Sequence, residues 1–209
     1  MILPLLLALV IGYLLGALPF GVWVARAHGV DIFQVGSGNP GATNVKRSVG
    51  KPAGNLVFLL DFLKGVAAAL WPVLPWLHLG GGESVERMQV AGLVGAIAGH
   101  SFSCFIGFRG GKGVATSLGG LLALCWPVAL LGVGVWLAVF YATRYVSLAS
   151  ILLAVSLPVS AWLLQRTGFL TSFFALLALF IVVRHRTNIQ RLCSGTESRF
   201  EKKKPDAGG

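Results

Sequence analysis

Residues 37–47, Ser-Gly-Asn-Pro-Gly-Ala-Thr-Asn-Val-Lys-Arg, are polar and glycine-rich and sit between two long apolar runs. Glycine tolerates positive φ and lets the backbone approach a ligand closely. Successive N–H groups in such a loop can form an anion-binding nest. Ser37, Asn39, Thr43 and Asn44 add neutral hydrogen-bonding groups, and Lys46 and Arg47 add positive charge. Arginine can grip a phosphate through two N–H groups. The stretch reads as a phosphate cradle at a membrane surface, with a plain solvated connector as the alternative.

A second glycine-rich stretch, Gly107 to Thr116, carries Arg109 and Lys112. It is not a P-loop. Position 106 is Ile where the first glycine belongs, and Gly113 stands where Ser or Thr would hold magnesium. Glycines, Lys112 and the start of the next helix still favour an anion. Asp61 and Lys64, three apart inside an apolar run, share a helix face as a structural or functional ion pair. His100 reads as a hydrogen-bonded packing residue. With Cys104 one turn on, it lacks the further ligands of a zinc set. No carboxylate cluster suggests a metal, and neither a metal nor another cofactor is expected. Cys104, Cys125 and Cys193 are scattered and read as reduced, with no disulfide framework.

The elements that must position these residues are membrane spans. The chain has 209 residues, is 56% hydrophobic and only 11% charged, and its mean hydropathy is +0.80. That composition predicts an all-α integral membrane protein of one domain, residues 1–209. Met1 to Val10 lacks a basic n-region, so the first run is expected to stay as a span rather than be cleaved. Seven spans are expected, at about 2–25, 53–77, 89–106, 115–125, 128–141, 148–164 and 169–183. Gly12 and Gly16 give the first a small-residue packing face, and Pro4 and Pro19 are expected to bend its ends. Trp126-Pro127 is expected to separate the fourth from the fifth. Ser147 and Ser150 open the sixth, with helix capping the expected role of Ser147. The tail 198–209 is expected to be disordered.

Charge orients this bundle. With seven spans, the segments at 26–52, 107–114 and 142–147 and the tail from 184 share one side. They hold fourteen of the seventeen Lys and Arg residues. Positive charge marks the cytoplasmic side, so the N-terminus is expected outside, the C-terminus in the cytoplasm and the active site at the cytoplasmic face. The connector 78–88, with Glu83 and Glu86, is expected outside. A net charge of +10 spread this way argues for a membrane and against nucleic acid as partner.

Three motifs in this order resemble the acyl-phosphate-dependent glycerol-3-phosphate acyltransferases of bacterial inner membranes. They are Ser37-Gly-Asn-Pro-Gly-Ala-Thr-Asn44-Val with Arg47, then Gly110-Gly-Lys112-Gly-Val-Ala-Thr116, then His185-x-x-Asn188-Ile with Arg191 and Gly195-x-Glu197. Asp61-x-x-Lys64-Gly65 also fits, and the likeness covers nearly the whole chain. The resemblance implies attack by the 1-hydroxyl of glycerol 3-phosphate on a fatty acyl phosphate, giving lysophosphatidic acid and inorganic phosphate. It also implies site residues. Ser37, Asn39 and the backbone from Gly38 through Gly41 to Thr43 hold the acyl-phosphate phosphoryl group. Arg47, Lys112, Ser150, His185 and Asn188 hold glycerol 3-phosphate, with Gly111 in the second cradle. Asn44 and Glu197 belong to the same binding set as supports. His185, Lys112 and Arg47 are the catalytic candidates, His185 as general base unless a substrate phosphate takes the proton.

Two other classes compete. A transporter for a phosphate-bearing solute would use similar loops, but would show internal repeats and mid-membrane helix breaks. A purely structural membrane subunit would leave the three polar motifs unexplained. Neither oligomeric state nor acyl-chain preference follows from the sequence.

Overall fold

The computed structural model describes residues 2–74 and 83–200. Part of the expected outer connector, residues 78–82, and the last nine residues lie outside the described part. The described chain is helical apart from turns and an isolated bridge between Ser103 and Arg109. The helices are α1 (Ile2–Ala17), α2 (Phe20–Ala27), α3 (Ala42–Ser48), α4 (Lys51–Leu70), α5 (Glu83–Ser101), α6 (Val114–Thr143), α7 (Val146–Leu163), α8 (Gly168–Arg184) and α9 (Arg186–Cys193).

Several boundaries follow from local chemistry. Pro19 has no N–H to donate and disfavours helical backbone at Leu18, so the first apolar run breaks there. Pro52 sits in the first turn of α4, where its missing donor costs nothing. The Thr167 hydroxyl accepts from the Leu170 N–H at 3.2 Å and caps α8.

Among the described residues, four helical stretches are long and apolar enough to cross a membrane: Ile2–Ala27, Lys51–Val73, Val114–Thr143 and Val146–Leu163. A fifth is added if α8 and α9, bent by 60°, count as one. Length and hydropathy alone thus select four or five stretches where seven spans are expected. The spans expected at 115–125 and 128–141 correspond to two helices that meet inside α6. They join at a kink with non-helical backbone at Cys125 (φ −153°, ψ 73°), two residues before Pro127, where the break is expected. The third expected span begins earlier, at Glu83, and ends at Ser101, because the charged 83–88 segment is itself helical. Of the tail expected to be disordered, 198–209, residues 198–200 are described, and the Phe200 N–H donates to the Arg144 carbonyl at 3.0 Å; the rest lies outside the described residues. Large apolar side chains such as Leu176, Trp162 and Ile2 are exposed, an outward face suited to lipid.

By their internal contacts the residues divide into two compact units, Met1–Ala129 and Leu130–Gly209. In the first, α1 and α5 pack so closely that a Cβ on Gly12 would overlap the Gly92 carbonyl and one on Gly16 that of Ala96. Small residues let the backbones meet, as transmembrane packing requires. A second cluster, of Val22, Ala25, Ile32, Val45, Ala53 and Val57, lies under the first glycine loop and ties it to α2 and α4. In the second unit α7 packs on α8, and α9 touches both.

Candidate active site

The first loop is built around Asn44. Its amide is buried; Oδ1 accepts the Ser37 N–H at 3.0 Å and Nδ2 donates to the Val35 carbonyl at 3.1 Å. A longer bond runs to the Ile32 carbonyl at 3.4 Å. One side chain thus fixes the turn that presents Ser37, with Gly38 at φ +65°. The Asn39 carboxamide accepts from the Gly41 N–H at 2.9 Å, closing the next turn. Thr43, Asn44, Lys46 and Arg47 then lie on α3, a short helix inside what the sequence presents as loop. Lys46 donates to Asn55 on α4 at 3.0 Å, while Arg47 is exposed.

The second loop leaves α5 through the Ser103–Arg109 bridge. The buried Ser103 hydroxyl donates to the Ala17 carbonyl at 2.5 Å, at the end of α1. The Gly111 N–H donates to the His100 carbonyl at 3.0 Å. Two contacts join the loops. Asn39 Nδ2 reaches the Gly110 carbonyl at 3.5 Å, and the Arg109 guanidinium lies 3.7 Å from the centre of the Phe33 ring, a stacked cation–π geometry. Lys112 follows Gly111, half-buried. The first unit therefore brings together Ser37, Gly38, Asn39, Gly41, Thr43, Asn44, Arg47, Gly111 and Lys112.

Ser150, His185, Asn188 and Glu197 belong to the second unit. His185 ends α8, is buried, and donates from ring Nδ1 to the Ile181 carbonyl at 2.8 Å. A carbonyl can only accept, so Nδ1 carries the proton and Nε2 is the basic nitrogen of the neutral ring. The bond also satisfies a last-turn carbonyl of α8. Ser150 donates to the Val146 carbonyl at 2.8 Å and accepts from Trp136 Nε1 at 3.2 Å.

Glu197 gathers three partners. Ser147 Oγ donates to Oε1 at 2.6 Å, Asn188 Nδ2 to Oε1 at 2.7 Å, and Arg191 Nε to Oε2 at 2.8 Å. Burial alone would raise the Glu197 pKa. The bonds from Ser147, Arg191 and Asn188 outweigh it and hold the carboxyl below its ordinary value. Ser147 is therefore not the cap expected from sequence; Tyr145 is the N-cap residue of α7, which has no side-chain cap. Its partner is fifty residues away, beyond the reach of local pattern.

His100, expected as a hydrogen-bonded packing residue, faces a buried carboxylate. Its Nδ1 stands 3.5 Å from Asp61 Oδ1, and the same oxygen is 2.8 Å from Lys64 Nζ. The available signal was the cost of Asp61 in an apolar helix, which demands a polar partner on a neighbouring one.

Buried polar groups, an apolar exterior and two glycine loops held side by side define a membrane protein that is helical throughout its described residues. The family profile described as glycerol-3-phosphate acyltransferase matches residues 6–195, and this chain belongs to that family. It is 46% identical over 199 residues to a glycerol-3-phosphate acyltransferase of Synechococcus sp. (strain JA-3-3Ab), covering 95% of this chain and 94% of the relative. It is 44% identical to that of Mesorhizobium japonicum, covering 94% and 96%. The fold matches a crystal structure of PlsY (YgiH), an integral membrane glycerol 3-phosphate acyltransferase in its glycerol 3-phosphate form. The TM-score is 0.82 at 40% identity, over 94% of this chain and 96% of that one.

Proposed function

We propose that the protein transfers a fatty acyl group from acyl phosphate to the 1-hydroxyl of glycerol 3-phosphate, releasing lysophosphatidic acid and inorganic phosphate. Relatives named for glycerol-3-phosphate acyl transfer support the acceptor, as do crystal forms of PlsY named for glycerol 3-phosphate and lysophosphatidic acid. The carrying observation is the pairing of two glycine loops through Asn39 and Gly110, with Arg47 and Lys112 on the same segments. Two such loops suit two phosphorylated substrates.

In this reading Ser37, Asn39 and the backbone from Gly38 through Gly41 to Thr43 bind the donor phosphoryl group. Arg47, Lys112, Ser150, His185 and Asn188 bind glycerol 3-phosphate. Asn44 and Glu197 hold the segments in place, since their polar atoms are occupied by the protein itself. The acceptor oxygen forms a bond to the acyl carbon, the bond from that carbon to the phosphate oxygen breaks, and phosphate leaves. The hydroxyl proton passes to His185 Nε2. An acyl phosphate is an activated anhydride, so the protein contributes mainly position and charge stabilisation.

The proposal also covers topology: one membrane domain in the bacterial inner membrane, N-terminus outside, glycine loops and C-terminus cytoplasmic. Seven passes take the two helices that meet at Cys125 in α6 as separate spans.

The test is turnover by the purified protein with labelled glycerol 3-phosphate and acyl phosphate, acyl-CoA or acyl carrier protein in turn. Lysophosphatidic acid and phosphate are expected from acyl phosphate alone. Turnover of the thioesters, or of nothing, overturns the donor assignment. For the base, His185→Ala is expected to slow turnover by roughly a hundredfold or more and to remove the acidic limb of the pH–rate profile. A variant that keeps that limb identifies a substrate phosphate as the proton acceptor instead.

A further inference from the structure

We propose that Asp61, Lys64 and His100 are positioning residues for acyl transfer, setting where the second glycine loop stands against the first. The inference rests on the reading that Lys112 of that loop binds glycerol 3-phosphate.

The contacts run in one continuous series within the first unit. Lys64 Nζ bonds Asp61 Oδ1 at 2.8 Å and donates to the Leu18 carbonyl at 3.1 Å. That carbonyl lies in the break between α1 and α2. Asp61 Oδ1 faces His100 Nδ1 at 3.5 Å, which fixes the face of the imidazole. The ring then lies so close to Gly111 that a Cβ there would overlap His100 Nε2, and one on Gly110 would overlap the His100 carbonyl oxygen. Gly111 donates to that carbonyl, and Gly110 accepts from Asn39 of the first loop. The imidazole is thus the surface on which the second loop rests, and Asp61 orients the imidazole.

A recess, partly open to solvent, lies between these groups. Pro40, Gly110 and Gly111 form one part of its wall and Asp61, Lys64 and His100 another. Removing the ring takes away the surface against which Gly111 is packed. A plain helix lock explains less. Buried ion pairs are costly, and apolar residues of similar volume often fasten helices as well. Here the ionic group ends on the glycines that precede Lys112.

The experiment uses the full-length enzyme in detergent with His100→Ala, Gly111→Ala, their double variant and Asp61→Asn. Glycerol 3-phosphate and acyl phosphate are varied separately, and hydrogen exchange is followed in peptides covering Gly110–Gly113. His100→Ala is expected to lower kcat/KM for glycerol 3-phosphate by roughly tenfold to a hundredfold, mostly through KM, with the acyl phosphate KM unchanged. Gly111→Ala is expected to lose a similar factor. The double variant is expected to lose less than the product of the two, because the smaller residue makes room for the added methyl. Loop exchange is expected to quicken in His100→Ala and Asp61→Asn while exchange in α1 stays constant. If His100→Ala does not fold, Asp61→Asn carries the same two readouts. Unchanged loop exchange, strictly multiplicative losses or a parallel rise in both KM values would overturn the proposal. A wild-type enzyme that ignores acyl phosphate would overturn the functional reading instead, and the exchange measurement would still decide whether the three residues hold the loop.

Discussion

Asp61 in the first unit and Glu197 in the second are buried carboxylates held in opposite ways. Asp61 is 2% exposed and meets a full cation, Lys64, that is buried with it. Glu197 is 8% exposed and meets two neutral donors, Ser147 and Asn188, plus Arg191, whose side chain keeps 39% of its surface open. In the first arrangement both charges are committed to the interior, and neither tolerates loss of the other. In the second, neutral groups fill the oxygen lone pairs in place and the charged partner stays hydrated. A rigid internal bracket and a titratable surface latch are different devices, although both are built on one carboxylate.

The largest expected effect is on the bracket. Asp61→Ala leaves Lys64 buried without its carboxylate and should cost about 3–5 kcal/mol. Adding Lys64→Met removes the stranded charge and should recover most of that loss. Thermal melting of the detergent-solubilised variants measures both. If single and double variants melt together, charge pairing is not what holds α4, and the contrast with Glu197 collapses.

Next comes the latch. Glu197→Gln keeps the shape but removes the charge received by three donors, and should cost about 1.5–3 kcal/mol. The sign of its pH dependence follows from the lowered Glu197 pKa. A carboxyl held below its unfolded value, about 4.3, releases its proton more readily when folded. Its stabilisation is therefore complete above that pH and is lost as pH falls through the lowered value. Wild-type protein should lose more melting temperature than Glu197→Gln between neutral pH and pH values below about 4. Parallel curves would mean that other carboxylates carry the acid sensitivity.

The same contrast explains what could be read from sequence. Polar motifs, apolar runs, the Gly12–Gly16 face and the break at Pro19 are local patterns, and each has its counterpart in the helices. α3 was illegible because Thr43, Asn44 and Ser48 are weak helix formers; Val45, packed with Val22, Ile32 and Val57, holds it in place. α9 was hidden by its Arg, Thr and Asn content. Pro127 suggested a break, and the helical backbone is interrupted at Cys125, two residues before it. Asp61 and Lys64 announced a pair through their spacing, whereas Ser147 and Glu197 are neighbours only after folding. Candidate site residues stand out by type; which of them bond one another required three dimensions.

The smallest effect sharpens the latch itself. Ser147→Ala removes one bond to Glu197 Oε1, while Asn188 still donates to the same oxygen at 2.7 Å. The cost at neutral pH should be about 1 kcal/mol, that of one hydrogen bond. The Ser147 bond lowers the Glu197 pKa, so its loss should move that pKa back up toward the ordinary value. The acid-induced fall in melting temperature should then begin at a higher pH than in wild type, although the variant keeps its carboxylate and its arginine. A variant destabilised equally at every pH would show that the serine only packs, and that Arg191 and Asn188 alone set the charge state of Glu197.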